Sequence, residues 1–403
     1  MQKNVPSHND KFKKMLKPNI LYFAPCGLHE GVGGGARLRN MLDALRRLEA
    51  NTQLISYLPG EKFKVTHKQI DNFLNTTTIS VRRLSPKIFK VFALVPIFIY
   101  GLKHIRKSNI IFAHASGIVS GFPALILAKM LNKPLVLDHM DIKDPETPPV
   151  IYDSVIKNSN IVFTISRYLE EEARKMGCRN VAYVPVFIDP KVFRKDILEG
   201  VKIRRQLGIK DEEIAIGYAG SFSHIEGVPF LLKAFKKLSS KYKNVKLVVV
   251  GDSNVADSDN VAQLLNELVL DERVILVPPQ PHKLMPKYLS VFDIACSPKI
   301  DCEENRAANP IKIYEYMSMG LPMVVSAVGE ISHVIEDECD GFLVGPGDEA
   351  ALERRLEYVI HNLDSLQEVG ERARKKIIEN YSQQAMLKKI ADALQELCQE
   401  RSH

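Results

Sequence analysis

Asn309-Pro-Ile-Lys-Ile-Tyr-Glu-Tyr-Met-Ser-Met-Gly-Leu-Pro-Met-Val-Val-Ser326 is the stretch on which the reading of this chain turns. Its end, Met323 to Ser326, is a short apolar run that reads as a buried strand. Gly320 stops the helical segment before it, and Leu-Pro leads into the strand. The stretch opens on Asn309, Pro310, Ile311 and Lys312, a turn whose lysine stands beside a helix start. Unpaired N–H groups and the helix dipole make such a place favourable for phosphate. Glu315 follows one turn in, where a carboxylate can accept hydrogen bonds from a ribose. Together these residues suggest a nucleotide-sugar site.

Outward from this stretch, short apolar strands alternate with amphipathic helices. The first half offers strands near residues 20–24, 53–57, 109–113, 135–138, 160–165 and 181–184. A second series begins afresh at 214–220 and continues at 245–251, 273–277, 292–297, 323–326 and 341–344. Two such series predict an α/β fold of two doubly wound, Rossmann-like domains facing across a cleft. The stretch Pro185 to Gly200, broken by prolines and polar residues, marks the boundary. The expected division is 1–187, 188–380, and a last helical segment, 381–403, that can pack back on the first domain.

The 403 residues suffice for two cores. The 45% hydrophobic and 26% charged fractions are those of an ordinary soluble protein. A net charge of +7 fits phosphorylated substrates or anionic lipid heads. The lysines read as scattered and are not interleaved with aromatic residues, so no nucleic-acid partner is expected. The six cysteines form no C-x-x-C pair and read as reduced, structural thiols. The polar opening MQKNVPSHNDKFKKMLKPN has no signal-peptide character, so a cytoplasmic setting is expected. Val91 to Leu102 is apolar and flanked by Lys87, Lys90, Lys103, Arg106 and Lys107. It is too short to span a bilayer. It reads as a core helix with a basic rim or as a membrane-surface segment, with peripheral contact through 87–107 on the cytosolic face.

Gly31-Val-Gly-Gly-Gly-Ala-Arg-Leu-Arg39 follows the first strand. Its Gly33, Gly34 and Gly35 predict a loop whose N–H groups approach an anion ahead of a helix. Gly220-Ser-Phe-Ser-His-Ile-Glu-Gly227 repeats the arrangement in the second half. His114, and then His139 and Asp141, follow strands of the first half. Neither they nor Asp138 and Asp144 show metal-ligand spacing, so no metal and no cofactor are expected.

The chain resembles the retaining glycosyltransferases of the GT-B fold, in particular family four. The resemblance rests on the early glycine-rich loop, "VPVFIDPKVF" at 184–193, "IGYAGSFSHIEGV" at 216–228, "LVVVGD" at 247–252, "VFDIACSP" at 291–298, and the stretch quoted first. "GEISHVIEDECDGFLVGPGD" at 329–348 completes the series. The resemblance implies transfer of a sugar from a nucleotide-diphosphate donor to a glycan, lipid-linked or small-molecule acceptor, with retention and without a metal. It places Gly220, Ser221, Phe222, Asn309, Pro310, Ile311, Lys312 and Glu315 on the donor, and Gly33 to Gly35 near the diphosphate and acceptor. It gives catalytic roles to His114, Lys312 and Glu315, with His139, Asp141, His224 and Arg306 as further candidates.

Two departures stand out. The family's first glutamate falls on Ala307, and its Arg and Lys in the loop of the second domain fall on Ser221 and Glu226. Lys312, with Arg306 nearby, is expected to supply the missing charge, with Glu226 beside it or turned away in favour of His224. These departures keep two alternatives in view: a catalytically weakened nucleotide-sugar-binding partner subunit and a nucleotide-sugar epimerase.

Overall fold

The computed structural model describes residues 17–28, 33–82, 86–143, 145–251 and 272–399. Gly31, Val32, Asp144 and Asp252, named above, lie outside them. The chain divides into two compact units, Met1–Pro185 with Gln383–His403, and Val186–Ser382. The cuts at 185/186 and 382/383 lie two residues from those expected.

Among the described residues the first unit holds eight strands: β1 (Asn19–Ala24), β2 (Asn51–Gly60), β3 (Lys64–Gln69), β4 (Leu74–Arg82), β5 (Ile110–His114), β6 (Leu135–His139), β7 (Ile161–Thr164) and β8 (Val181–Tyr183). Their order in the sheet is β3-β4-β2-β1-β5-β6-β7-β8. All neighbours are parallel except β3 on β4. Strands β5, β6 and β7 are buried at every residue, which is why they read as unbroken apolar runs.

The second unit holds β9 (Ile214–Ala219), β10 (Val245–Val250), β11 (Val274–Val277), β12 (Ile294–Ser297), β13 (Met323–Ser326) and β14 (Phe342–Val344). This sheet is parallel throughout, in the order β11-β10-β9-β12-β13-β14. Val248 and Val250 of β10 enter a core with Tyr314, Met317 and Phe292. Leu247 and Val249 enter a second core with Leu231 and Phe235 of the helix Val228–Lys241. The sheet is therefore covered on both faces.

Each sheet has a switch point in its strand order, between β1 and β5 and between β9 and β12. Such a switch point opens a crevice at the carboxyl ends of its strands, where doubly wound folds take ligands. His114 ends β5, and the loops 220–227 and 298–305 follow β9 and β12.

Helix α1 (Gly33–Arg47) contains the glycines expected to form a loop. Gly33 to Gly35 are its first turn, a correction to the sequence reading. The anion-binding option there reduces to the helix's own unpaired N–H groups. The final helix, α2 (Gln383–Gln399), belongs to the first unit, where Gln383 hydrogen-bonds Asp43 of α1. Its Met386, Ile390, Leu394 and Leu397 are buried. Among the described residues no helix is long and apolar enough to cross a membrane.

Candidate functional site

In the second unit the site is built by glycines that let two loops touch. Gly227 sits at φ 68°, and a Cβ there would stand 1.8 Å from the Pro298 carbonyl oxygen. The loop after β9 is thus drawn onto the chain leaving β12. Gly220 has φ 155°, and a Cβ there would lie 2.4 Å from Lys312 Nζ. A side chain there would have to push the lysine's ammonium end aside.

This close approach delivers Glu226 to two lysines. Its Oε1 accepts from Lys299 Nζ at 2.8 Å and its Oε2 from Lys312 Nζ at 2.6 Å. Lys299 also donates to Asn305 Oδ1 at 2.8 Å, and Asn305 ties the loops by donating to the Ile225 and Ile300 carbonyls. Lys312 lies 4.5 Å over the Tyr218 ring and donates to its hydroxyl at 3.1 Å. Tyr218 in turn donates to the Ser221 carbonyl at 2.6 Å.

Burial pushes the Glu226 carboxyl up, but the charges and hydrogen bonds of Lys312 and Lys299 outweigh it and hold it at about 2. Burial lowers Lys299, with Lys312 adding to it against the pull of Glu226. One carboxylate thus serves two ammonium groups, leaving one net positive charge at the switch point. Of the two expected placements, Glu226 takes the one beside Lys312, turned inward and not away. Lys299 is the second cation on the same carboxylate.

Lys312 and Glu315 lie on helix α3 (Ile311–Met319), which begins straight after Pro310. Pro310 has no N–H to lose, and the first-turn N–H groups favour an anion. Ile311 and Lys312 therefore belong to the helix itself. Glu315 is buried, and its Oε1 lies 2.7 Å from His282 Nε2. The His282 ring rests against Phe193 with centroids 5.3 Å apart.

Phe222 is buried in the core cluster that also holds Val228, Leu231 and Val249. Arg306 forms an exposed pair with Asp301 at 2.6 Å, outside the lysine cluster. His224 is exposed, and Asn309 is buried.

The first unit holds a second buried network. Arg37 of α1 donates to Asp138 from Nη2 at 2.8 Å and to the Pro185 carbonyl from Nη1 at 2.7 Å. Asp138 Oδ2 meets His114 Nδ1 at 3.2 Å, and the Tyr22 hydroxyl lies 3.4 Å from the same nitrogen. Burial pushes His114 down, yet the hydrogen bonds and charges of Asp138 and Cys26 carry it up to about 9. His114 is therefore a charged, fixed imidazolium at neutral pH. His139 is the opposite case: burial holds it at about 4 against the pull of Asp138, so its ring is neutral. Its Nε2 lies 3.3 Å from the Tyr152 hydroxyl, and its Nδ1 has no hydrogen-bond partner. Asp141 is exposed.

Sequence reading missed Lys299, Asn305, Tyr218 and His282, and gave no role to Arg37 or Tyr22. Lys299 had one signal: it stands two residues beyond β12, next to the switch point.

Residues 201–376 match the Glycosyl transferases group 1 family. This segment thus resembles a group 1 glycosyl transferase domain. It contains Glu226, Lys299, Lys312, Glu315 and His282. N-acetyl-alpha-D-glucosaminyl L-malate synthase of Bacillus anthracis is 24% identical over 229 residues, 56% of this chain and 57% of that protein. D-inositol 3-phosphate glycosyltransferase of Mycobacterium marinum is 28% identical over 164 residues, 40% of this chain and 33% of its own. The chain thus spans little more than half the length of the curated relatives it matches, and less of some. In fold the likeness is nearly complete. Anabaena HepE in complex with UDP and glucose aligns over 94% of this chain and 99% of its own, at a TM-score of 0.76 and 17% identity. Sucrose-phosphate synthase of Thermosynechococcus elongatus covers 95% and 100%, at 0.77 and 16%. The fold outside the group 1 segment is accordingly that of the GT-B glycosyltransferases as well.

Proposed function

We propose that this chain is a retaining, metal-independent glycosyltransferase of family four, moving a sugar from a nucleoside-diphosphate donor to an acceptor. The observation that carries the reading is the Lys299–Glu226–Lys312 cluster at the switch point between β9 and β12, inside the group 1 segment. Breaking a glycosidic bond to a diphosphate needs positive charge where the leaving oxygens gather charge. Lys312 and the first turn of α3 offer it. A diphosphate oxygen competes there with Glu226 Oε2, and Lys299 keeps Glu226 neutralised when Lys312 turns to the ligand. Glu315, steadied by His282, takes the ribose hydroxyls. His114, fixed by Asp138 in the first unit, is the second group to which we assign a catalytic role. UDP in the HepE complex makes a uridine donor the first to try. The proposed setting is cytoplasmic, with peripheral contact at the cytosolic face of a membrane.

The inward carboxylate also favours a second reading, a weakened donor-binding subunit, because it cancels half of the lysine charge. Two measurements decide. Thermal melting with UDP, GDP, ADP, CMP and NAD should show one selective shift with a nucleoside diphosphate. The matching nucleotide sugar should then be hydrolysed slowly without acceptor. A shift without turnover supports the binding subunit, and no shift with any nucleotide overturns both readings.

A further inference from the structure

The chain's positive charge is local. Residues 60–107 contain ten of its 55 Lys and Arg but only Glu61 and Asp71 of its 48 Asp and Glu. The remaining residues carry 45 basic and 46 acidic side chains, so this one segment supplies the whole excess of +7. The sequence reading of scattered lysines is corrected on this point.

The structure puts part of that charge on one surface with apolar side chains. The helix Pro86–Ile105 buries Ala93, Ile97 and Ile105 against the sheet. On its other side Val95, Ile99 and Leu102 are 62%, 58% and 46% exposed. Their spacing of four and three residues makes a single stripe. Arg106 continues the stripe one turn later, and Lys103 and Lys107 flank it; all three are exposed. Beside the helix runs the edge strand β3, whose His67 ring lies 5.3 Å from the Tyr100 ring. Lys64 and Lys68 of β3 are exposed, as are Lys62 and Phe63 in the turn before it.

We propose that this face, the 86–105 helix with β3 and its preceding turn, docks on an anionic lipid surface. This face joins charge complementarity to apolar exposure. Lysines and arginines seek the negative surface, and Val95, Ile99, Leu102 and Phe63 enter the headgroup boundary. A nucleic acid would use the charge but leave the aliphatic stripe in water. This docking deepens the membrane contact named above and does not depend on the donor chemistry. It brings the enzyme to acceptors displayed at a membrane surface.

The test is flotation of the full chain with vesicles of pure phosphatidylcholine or of phosphatidylcholine with phosphatidylglycerol. Binding should require phosphatidylglycerol and weaken steeply as salt rises. Val95→Glu/Ile99→Glu and Lys103→Glu/Lys107→Glu should each reduce vesicle affinity by roughly tenfold or more. Both double variants should keep the nucleotide-induced melting shift, which shows that they are folded and separates this proposal from the transferase reading. Equal binding to both vesicle types, or none, overturns the proposal. So does an oligomeric mass that Val95→Glu/Ile99→Glu lowers, which would make the stripe a contact between copies. DNA binding that survives Val95→Glu/Ile99→Glu, with no vesicle binding, would make the face a polyanion site instead.

Discussion

Replacing Glu226 with glutamine keeps the side chain's shape and removes the charge that two buried ammonium groups share. The size of the effect follows from the structure by two routes. Folding takes the Glu226 carboxyl from 4.5 to about 2, which at 1.36 kcal/mol per unit is about 3 kcal/mol. Because the folded value is the lower one, this stability is present above pH 4.5 and lost as the pH falls toward 2. Removing one member of a buried ion pair costs about 3–5 kcal/mol, since the partner charges stay behind. A unit the length of Val186–Ser382 loses roughly 2–4 °C per kcal/mol, so its melting point should fall by about 6–20 °C. The decisive assay is melting of both proteins with and without UDP or inorganic pyrophosphate. In the wild type a diphosphate must compete with Glu226 for Lys312. In Glu226→Gln it is the anion both lysines lack, so its stabilising shift should exceed that of the wild type. An equal or smaller shift in the variant would refute the placement of diphosphate at this cluster.

Three further outcomes are expected. Glu315→Gln should weaken UDP by about 1–3 kcal/mol, the scale of a charged hydrogen bond, and His282→Ala should weaken it in the same direction; calorimetry that finds both unchanged removes the pair from the ribose site. Stability of the first unit should fall as the pH rises from 6.5 through about 9, because the folded pKa of His114 is the higher one. The loss is about 3 kcal/mol, and urea melts across that range should be nearly flat in Asp138→Asn. Gly227→Ala should destabilise the second unit by about 2 kcal/mol or more, from left-handed strain and the clash with the Pro298 carbonyl, and an unchanged melting point would show that the loop can lie elsewhere.

The inner strands were legible because parallel sheets covered on both faces demand unbroken apolar runs, as in Ile110–His114 and Leu135–His139. Strands β3 and β4 left no such mark. Lys64–Gln69 is exposed almost throughout, and Leu74–Arg82 carries threonines where the others carry valine or isoleucine. The glycines at 33–35 suggested a loop because glycine lowers helix propensity, yet the first turn of a helix tolerates it. Glu315 and Lys312 could be found because their helix has a recognisable turn before it. The partners that define their chemistry could not. Lys299 lies 73 residues from Glu226, and His282 lies 33 from Glu315. Only the strand order brings them together, and no local pattern encodes that order.

The return of α2 to the first unit also sets an order of assembly on the ribosome. All of Val186–Ser382 emerges before the helix that completes the first core has been made. The donor-side unit can fold while its older neighbour still lacks Met386, Ile390, Leu394 and Leu397. A premature stop just before Gln383 would thus spare the lysine cluster and damage the unit whose strands are synthesised first.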